Sequence, residues 1–336
     1  MCDDLQELAC CELCEHRCRT NRLDGELGVC RVGTPKVASR TLHPAPPESY
    51  TIFMAGCNFK CLHCQNWSIS QYPDNRMRLD GHVDAQDLAL ESVGMLESPG
   101  GRLMKADRIF FSGGEPSLHL PYIERVVEEA RKILAGCRVN FDTNGFMTES
   151  SLRRILEFTT SLTFDLKAFF DETHRALTGA PVAPVLRNAE IVARETPEKL
   201  WEFRIVVIPG MNEDDMEHLC SFLSGISKDL PVCFLAFRPN FVLDSCRGAS
   251  RQLMKRVLET AWEAGLVQAT WAGMTDIAGT PPRKNEDSGA SYKVEGARTA
   301  ASYALARGCK THPRNCRNCT SQGPCPLKGY RPERST

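Results

Sequence analysis

Three cysteines lie close together in residues 56–66 of the sequence. Cys57, Cys61 and Cys64 have the spacing C-x3-C-x2-C. Thiolates ligate iron–sulfur clusters, and three of them on one loop can hold three irons of a four-iron cubane. The fourth iron then has no protein ligand and can take a small molecule. The spacing therefore predicts a [4Fe-4S] cluster with one open coordination position.

A zinc site is the alternative interpretation of this segment. Structural zinc sites close with four ligands, and His63 could be the fourth. Because His63 and Cys64 are adjacent, their side chains converge on one ion only with difficulty. The three cysteines therefore favour the cubane.

The elements that must position this loop follow from the hydrophobic pattern. Short apolar, β-branched runs predict six strands, at 50–54, 108–112, 138–141, 162–166, 202–208 and 232–237. Amphipathic runs between them predict helices near 84–97, 120–135, 148–158, 184–195, 213–225 and 249–264. A seventh short strand is expected near 267–271. Strands that alternate with helices predict parallel βαβ units in an α/β fold.

Polar motifs follow the predicted strands in order. They are Gly113, Gly114 and Glu115 after the second strand, Asp142, Thr143 and Asn144 after the third, Asp165 and Lys167 in and after the fourth, and Arg204 in the fifth. In α/β barrels the carboxyl ends of the strands form the active face. Two carboxylates at adjacent strand ends repel unless a cation or basic group lies between them. These motifs are therefore expected to form one charged site.

The cysteine loop and these motifs together resemble the radical S-adenosylmethionine (SAM) enzymes, and within them the pyruvate formate-lyase activating enzyme branch. The resemblance covers about residues 50–272. It implies a partial (βα)6 barrel of the TIM type, with Cys-rich N- and C-terminal extensions. It also implies that Cys57, Cys61 and Cys64 ligate the [4Fe-4S] cluster that binds SAM.

The same resemblance assigns the SAM-binding residues. The Gly113–Gly114–Glu115 motif would bind the SAM amino group, and Asn144 belongs to the motif beside it. A further three, Asp142, Thr143 and Asp165, would help to hold a monovalent cation beside the SAM carboxylate. Lys167 and Arg204 would neutralise or orient SAM.

A second group of cysteines lies near the N-terminus. Cys11, Cys14, Cys18 and Cys30 have the spacing C-x2-C-x3-C-x11-C, and Cys10 could replace Cys11. Four thiolates can close a site around zinc or a cubane. The block resembles the N-terminal segment of activating-enzyme-like proteins with unassigned substrates. It is either a cluster site or a structural zinc site.

A third group lies near the C-terminus. Cys309, Cys316, Cys319 and Cys325 have the spacing C-x6-C-x2-C-x5-C. The C-x2-C-x5-C part is similar to the auxiliary-cluster motif of radical SAM enzymes that modify peptides. Gly329 stands where that motif has a further cysteine, and Cys309 could supply the missing ligand. An auxiliary [4Fe-4S] cluster and structural zinc both remain open.

Composition excludes several other classes of protein. The chain has 336 residues, 42% hydrophobic and 25% charged, with a net charge of -1. These values are typical of a globular protein and argue against a general nucleic-acid binder. The 17 cysteines indicate metal binding in a reducing compartment. With no apolar run of about 18 residues and no signal peptide visible, no membrane association and a cytoplasmic location are expected.

The sequence divides into four predicted parts. They are a Cys-rich segment (1–48), the radical SAM barrel (49–275), a linker or surface segment (276–308) and a Cys-rich metal-binding segment (309–336). The resemblance implies an oxidoreductase that reductively cleaves SAM to methionine and a 5'-deoxyadenosyl radical, which abstracts a substrate hydrogen. A protein or peptide substrate, an electron donor such as flavodoxin or ferredoxin, and an anaerobic setting are expected.

Three alternative functions stay open at this point. One is a multi-cluster radical SAM enzyme that oxidises or cross-links a peptide, protein or small molecule, which the C-terminal cysteines favour. A cobalamin-dependent methyltransferase is less favoured, because the sequence has no Asp-x-His-x-x-Gly motif. A non-enzymatic zinc protein that uses its cysteines for interaction is disfavoured by the three-cysteine loop.

Overall fold

The computed structural model describes residues 3–70, 78–273 and 296–302. Its centre is an eight-stranded sheet whose strands follow one another in sequence order. The strands are β1 (Val37–His43), β2 (Ser49–Met54), β3 (Arg108–Gly113), β4 (Arg138–Thr143), β5 (Ser161–Leu166), β6 (Leu200–Val207), β7 (Val232–Ala236) and β8 (Ala269–Ala272). β1 pairs with β2 antiparallel, and all other pairs are parallel. The order runs from β1 at one edge to β8 at the other, so the sheet is an open, partial barrel.

Helices connect the parallel strands. They are α1 (Trp67–Ser70), α2 (Ala85–Glu97), α3 (Pro99–Met104), α4 (Leu120–Ile133), α5 (Glu149–Phe158), α6 (Asp171–Thr178), α7 (Ala183–Glu195), α8 (Asp215–Ile226) and α9 (Arg251–Glu263). Residues 296–302, within the predicted linker, are also helical and bury alanines in the core. Among the helices of the described residues, none has the length and apolar character needed to cross a membrane.

The predicted α/β fold class is confirmed. The six predicted strands correspond to β2–β7, and the expected seventh short strand is β8. Strand β1 was not predicted. It is an edge strand with several exposed or half-buried residues. Its Arg40 pairs with Asp80 (3.1 Å) and Glu91 (2.7 Å), so the strand lacks the apolar run that reveals the central ones.

The strands present different residues to the two faces of the sheet, because successive side chains alternate. One face is apolar and buried, with Ile109, Phe111, Val139, Phe141, Leu162 and Phe164. The other face is polar: Arg108 Nη1 donates to Ser161 Oγ (2.9 Å) and Asn140 Nδ2 donates to Thr163 Oγ1 (3.2 Å). The barrel interior is therefore lined with polar groups that satisfy one another.

Strand register brings the predicted charged residues to one end of this interior. Asp165 and Arg204 are direct neighbours across β5 and β6. Phe111 is paired with Phe141, so the residues that follow them, Ser112 and Asp142, lie side by side. The carboxyl ends of β3–β6 thus form one continuous polar surface.

Gly94 lies inside α2, where alanine should stabilise the helix more than glycine does. It is exposed within the helix, and a methyl group there would meet nothing within 4 Å. Alanine costs less conformational entropy in a helix than glycine does, by about 0.5–1 kcal/mol. Gly94→Ala is therefore expected to raise Tm by about 1–3 °C in a thermal denaturation experiment.

Gly101 in α3 is the matched control for this substitution. A methyl group there would overlap the carbonyl oxygens of Met95 and Leu96. Gly101→Ala should lower Tm, because the backbone of α2 would have to move. Equal effects of the two substitutions would contradict this packing.

Candidate active site

A cavity of about 340 Å³ lies at the carboxyl ends of the parallel strands. The cysteine loop and all the polar motifs meet there. Its lining includes Cys57, Cys61, Cys64, Gly113, Gly114, Glu115, Asp142, Thr143, Asn144, Asp165, Lys167 and Arg204. The structure therefore brings together every residue predicted for the central site, while their roles as ligands remain predictions.

The cysteine loop is held by backbone hydrogen bonds on two sides. Glu115 N donates to Gly56 O and Gly114 N donates to Met54 O, both at 2.9 Å. On the other side, Lys60 N donates to Thr178 O at the end of α6 (2.9 Å). A methyl group at Gly114 would overlap the Gly56 carbonyl. The loop therefore depends on a glycine at position 114 for its close approach to β3.

Two of the thiols of this loop, those of Cys57 and Cys61, are buried, and that of Cys64 is partly exposed. Burial raises the pKa of Cys61 to about 12, and it also raises the pKa of Cys57 and Cys64 above the usual value. Metal coordination deprotonates a thiol outright, so such thiols become thiolates when they bind a metal. Phe59 N (3.3 Å) and Asn144 Nδ2 (3.6 Å) donate to Cys57 Sγ, which suits a negatively charged sulfur.

The donor set fits an iron–sulfur cluster. Within residues 3–70, 78–273 and 296–302, no three His, Cys, Asp or Glu side chains are arranged to hold a single metal ion. A cubane requires its ligands further apart than a single ion does, because irons and sulfides lie between the thiolates. His63 lines the same cavity, and burial lowers its pKa to about 3.

Glu115 connects the loops that follow β3 and β4. Its Oε1 accepts hydrogen bonds from Ser117 N (3.2 Å) and Thr143 Oγ1 (2.8 Å), and its Oε2 accepts one from Asn144 N (2.8 Å). Burial raises the pKa of Glu115 to about 7, although these donors oppose the shift. Glu115 can therefore change its charge near neutral pH.

The two carboxylates at the strand ends each have a cationic neighbour. Lys167 Nζ lies 2.8 Å from Asp165 Oδ2, and Arg204 Nη1 lies 3.9 Å from Asp142 Oδ1. Burial, followed by the charge of Asp165, raises the pKa of Asp142 above its usual value. The predicted repulsion is therefore relieved by basic groups of the chain itself. The monovalent cation remains a prediction.

Two residues that support these charges were not assigned a role from the sequence. Ser112 Oγ donates to Asp142 Oδ2 (2.7 Å), and Glu202 Oε1 accepts from Arg204 Nε (2.6 Å). Glu202 lies two positions before Arg204 on β6, so both point to the barrel interior. That i, i+2 spacing is the signal that could have identified Glu202.

The remaining wall of the cavity is partly apolar. Val206, Leu235 and Phe237 contribute from β6, from β7 and from the residue just after it. Asn66 also lines the cavity and donates from Nδ2 to Gly113 O (2.9 Å). Trp67 instead stacks on Phe241, with ring centroids 5.3 Å apart.

Of the two flanking groups of cysteines, the structure describes only the N-terminal one. Cys11, Cys14 and Cys30 are buried and Cys18 is partly exposed. The C-terminal cysteines, Cys309, Cys316, Cys319 and Cys325, lie outside the described residues.

SAM affinity is expected to rise with pH between about 5.5 and 7.5. In its predicted role, the ionised carboxylate of Glu115 would pair with the ammonium of SAM. Burial raises the pKa of Glu115 to about 7, so protonation below that pH would remove the ionic partner. Isothermal titration calorimetry under anaerobic conditions measures this profile. Glu115→Gln should bind SAM weakly and flatten the profile. A pH-independent affinity of the unaltered protein would contradict the role of Glu115.

An open α/β barrel with a three-cysteine loop after its first parallel strand defines a class of iron–sulfur enzymes. Residues 51–223 match the family described as the radical SAM superfamily, and the chain belongs to that superfamily. Membership implies catalysis with a [4Fe-4S] cluster and SAM.

Known relatives include activating enzymes. The pyruvate formate-lyase-activating enzyme of Staphylococcus aureus is 27% identical over 194 residues, which cover 54% of this chain and 71% of the relative. An uncharacterized protein of Methanocaldococcus jannaschii is 24% identical over 261 residues, 75% of this chain and 73% of the relative. The chain is therefore homologous to an activating enzyme over about half of its length.

Two solved structures share part of the fold. Streptococcus suis SuiB bound to its precursor peptide SuiA has a TM-score of 0.46 and 13% identity, over 65% of this chain and 46% of SuiB. A domain of the pyruvate-formate lyase-activating enzyme of Bacteroides vulgatus has a TM-score of 0.41 and 19% identity, over 50% of this chain and all of that domain.

Proposed function

We propose that this protein is a radical SAM oxidoreductase that resembles glycyl-radical activating enzymes and abstracts a hydrogen atom from a protein or peptide partner. The observation that carries the proposal is the single cavity that joins the three thiols to the predicted SAM-binding residues. When bound, the cluster and SAM supply the 5'-deoxyadenosyl radical that takes the hydrogen. The chain supplies binding, orientation and exclusion of water.

The residues of the cavity divide into three roles under this proposal. Cys57, Cys61 and Cys64 would hold the cluster. Glu115, with the backbone of Gly114, would bind the ammonium of SAM. The basic groups of Lys167 and Arg204, already beside Asp165 and Asp142, would neutralise the SAM carboxylate.

A macromolecular substrate is supported by the relatives. The Staphylococcus aureus relative is named for the activation of another enzyme. The apolar wall formed by Val206, Leu235 and Phe237 offers a surface for an extended segment of such a partner beside the SAM residues. The resemblance to glycyl-radical activating enzymes supports a glycine of that segment as the source of the hydrogen.

The decisive experiment measures SAM cleavage by the anaerobically reconstituted full chain. With a strong reductant and SAM, 5'-deoxyadenosine should form. Candidate glycyl-radical proteins carrying deuterated glycine should then transfer deuterium into that product and show a glycyl-radical signal by electron paramagnetic resonance. A chain with a complete cluster that leaves SAM intact would refute the radical SAM assignment. Cleavage without any transfer from glycine would refute only the activase.

A second function, a multi-cluster enzyme that oxidises or cross-links its substrate, is favoured by the flanking cysteines. Iron, sulfide and zinc per chain separate the two. About twelve irons indicate clusters at both flanks, since each cubane contributes about four. About four irons with one or two zincs make the flanks structural and favour the activase.

A further inference from the structure

The four N-terminal cysteines are gathered into one place by the fold. Cys14 and Cys30 share a small buried cluster with Val32 and Leu118. The Sγ of Cys18 accepts from Val29 N (3.3 Å), directly beside Cys30. Arg22 Nη1 donates both to Cys11 Sγ (3.5 Å) and to Leu118 O (2.7 Å), which places Cys11 beside the cluster of Cys14 and Cys30. The four cysteines therefore lie in one region of the N-terminal segment.

Tight turns, not long elements of regular structure, hold this segment together. Cys11 N donates to Thr20 O (3.1 Å), and Arg17 N donates to Cys14 O (2.9 Å). Arg17 and Arg19 adopt φ values of 43° and 53°, in the left-handed region that costs non-glycine residues about 1–2 kcal/mol each. A favourable interaction elsewhere in the segment must offset the free-energy cost of these two backbone conformations.

A buried cation beside the thiols is an independent observation. Arg22 is 1% exposed. Its Nε and Nη2 donate to Gly33 O (2.9 and 2.7 Å), and its Nη1 donates to Leu118 O (2.7 Å) and Cys11 Sγ (3.5 Å). No carboxylate of the described part of the chain forms an ion pair with it.

Removing a charge from water without an ionic partner costs several kcal/mol. Neutral carbonyls satisfy the hydrogen bonds of Arg22 but leave its charge uncompensated. Four thiolates around a divalent metal or a doubly positive cubane carry a net charge of about −2. Such a centre would supply the missing negative charge next to Arg22.

We propose that Cys11, Cys14, Cys18 and Cys30 bind a second metal centre, an iron–sulfur cluster, and that Arg22 is its built-in counter-charge. Gly28 fits this geometry, because a side chain there would lie within 2.8 Å of Cys18 Sγ and displace it. The centre is distinct from the three-cysteine loop, which has its own thiols and its own cavity.

The segment that carries these four cysteines also contacts the central cysteine loop. Glu15 N donates to Phe146 O (3.2 Å), and His16 Nε2 is 3.0 Å from Asn58 O in the cysteine loop. In the same layer, Asn144 Nδ2 donates to Asn58 Oδ1 (2.7 Å). The N-terminal segment therefore supports the loop that carries Cys57. Loss of the second centre should weaken SAM binding, a consequence that rests on the proposed function.

Metal analysis of the full chain after anaerobic reconstitution tests the proposal. Cys14→Ser and Cys30→Ser should each lose about four irons with their sulfides. Loss of zinc with unchanged iron would identify a zinc site and contradict the cluster. Cys10→Ser is the matched control, because Cys10 is exposed next to Cys11 and should keep the full metal content. Unchanged iron and zinc in both Cys14 and Cys30 variants would overturn the proposal.

Cys18→Ala keeps the test valid if the buried variants fail to fold, since Cys18 is only partly buried. Circular dichroism checks the fold, and a folded Cys18→Ala protein with all its metal would refute the site. Arg22→Gln should release the same metal to a chelator faster than the unaltered protein. Equal release rates would remove Arg22 from the proposal.

Cys61→Ala separates this proposal from the proposed function. It should lose the cluster of the central loop and keep the metal of the N-terminal centre. Failure of the N-terminal variants to lose metal overturns only the second centre.

Discussion

Replacement of Cys61 by alanine is expected to abolish cleavage of SAM by this protein. The Cys61 thiol is buried in the wall of the cavity that contains the predicted SAM-binding residues. Loss of one of three ligands leaves an iron of the cubane without protein support. Even loss of a group that hydrogen-bonds to a metal ligand reduces metal affinity or activity by about 10–100-fold. The rate of 5'-deoxyadenosine formation should fall by more than about 100-fold. Chromatography of the anaerobic reaction measures it, and iron analysis should show about four irons fewer.

Cys220→Ala is the matched control for this substitution. Cys220 is fully buried in α8, away from the cavity, and acts there as a small apolar residue. Its replacement should lower stability slightly and leave SAM cleavage and iron content unchanged. A Cys61→Ala protein that cleaves SAM at the rate of the unaltered protein would show that the three-cysteine loop does not hold the cluster.

Gly114→Ala is the second substitution with a large expected effect. The added methyl group would overlap the Gly56 carbonyl, one residue before Cys57. Either the cysteine loop or the end of β3 must then move, and overpacking of this kind costs about 1–3 kcal/mol. Because the same shift displaces the neighbouring Glu115, SAM affinity should fall at least tenfold, which calorimetry measures.

Gly136→Ala provides the comparison. Gly136 lies between α4 and β4, and a methyl group there meets nothing within 4 Å. Its SAM affinity and Tm should stay close to those of the unaltered protein. Normal SAM affinity in Gly114→Ala would show that the close approach of β3 to the cysteine loop is dispensable.

The parallel strands and the central site could be predicted because their signals are local. Strands β2–β7 are largely buried runs of apolar and β-branched residues. This local pattern predicts a strand without any information about the neighbouring strands. The polar motifs sit at their carboxyl ends, and parallel strands carry those ends to a common edge. Asp142 and Asp165 could therefore be placed together from the sequence, although they are 23 positions apart in the chain.

Other features depend on contacts between distant segments, which no local pattern reveals. Ser112 pairs with Asp142 only because the register of β3 and β4 sets them side by side. Strand β1 exists as an edge of the sheet through its pairing with β2. From the sequence alone, Arg22 would be taken for an ordinary surface residue. The fold buries it against Cys11 and Leu118. Burial and register are properties of the packed chain, so the partners of these charges became known only from the tertiary structure.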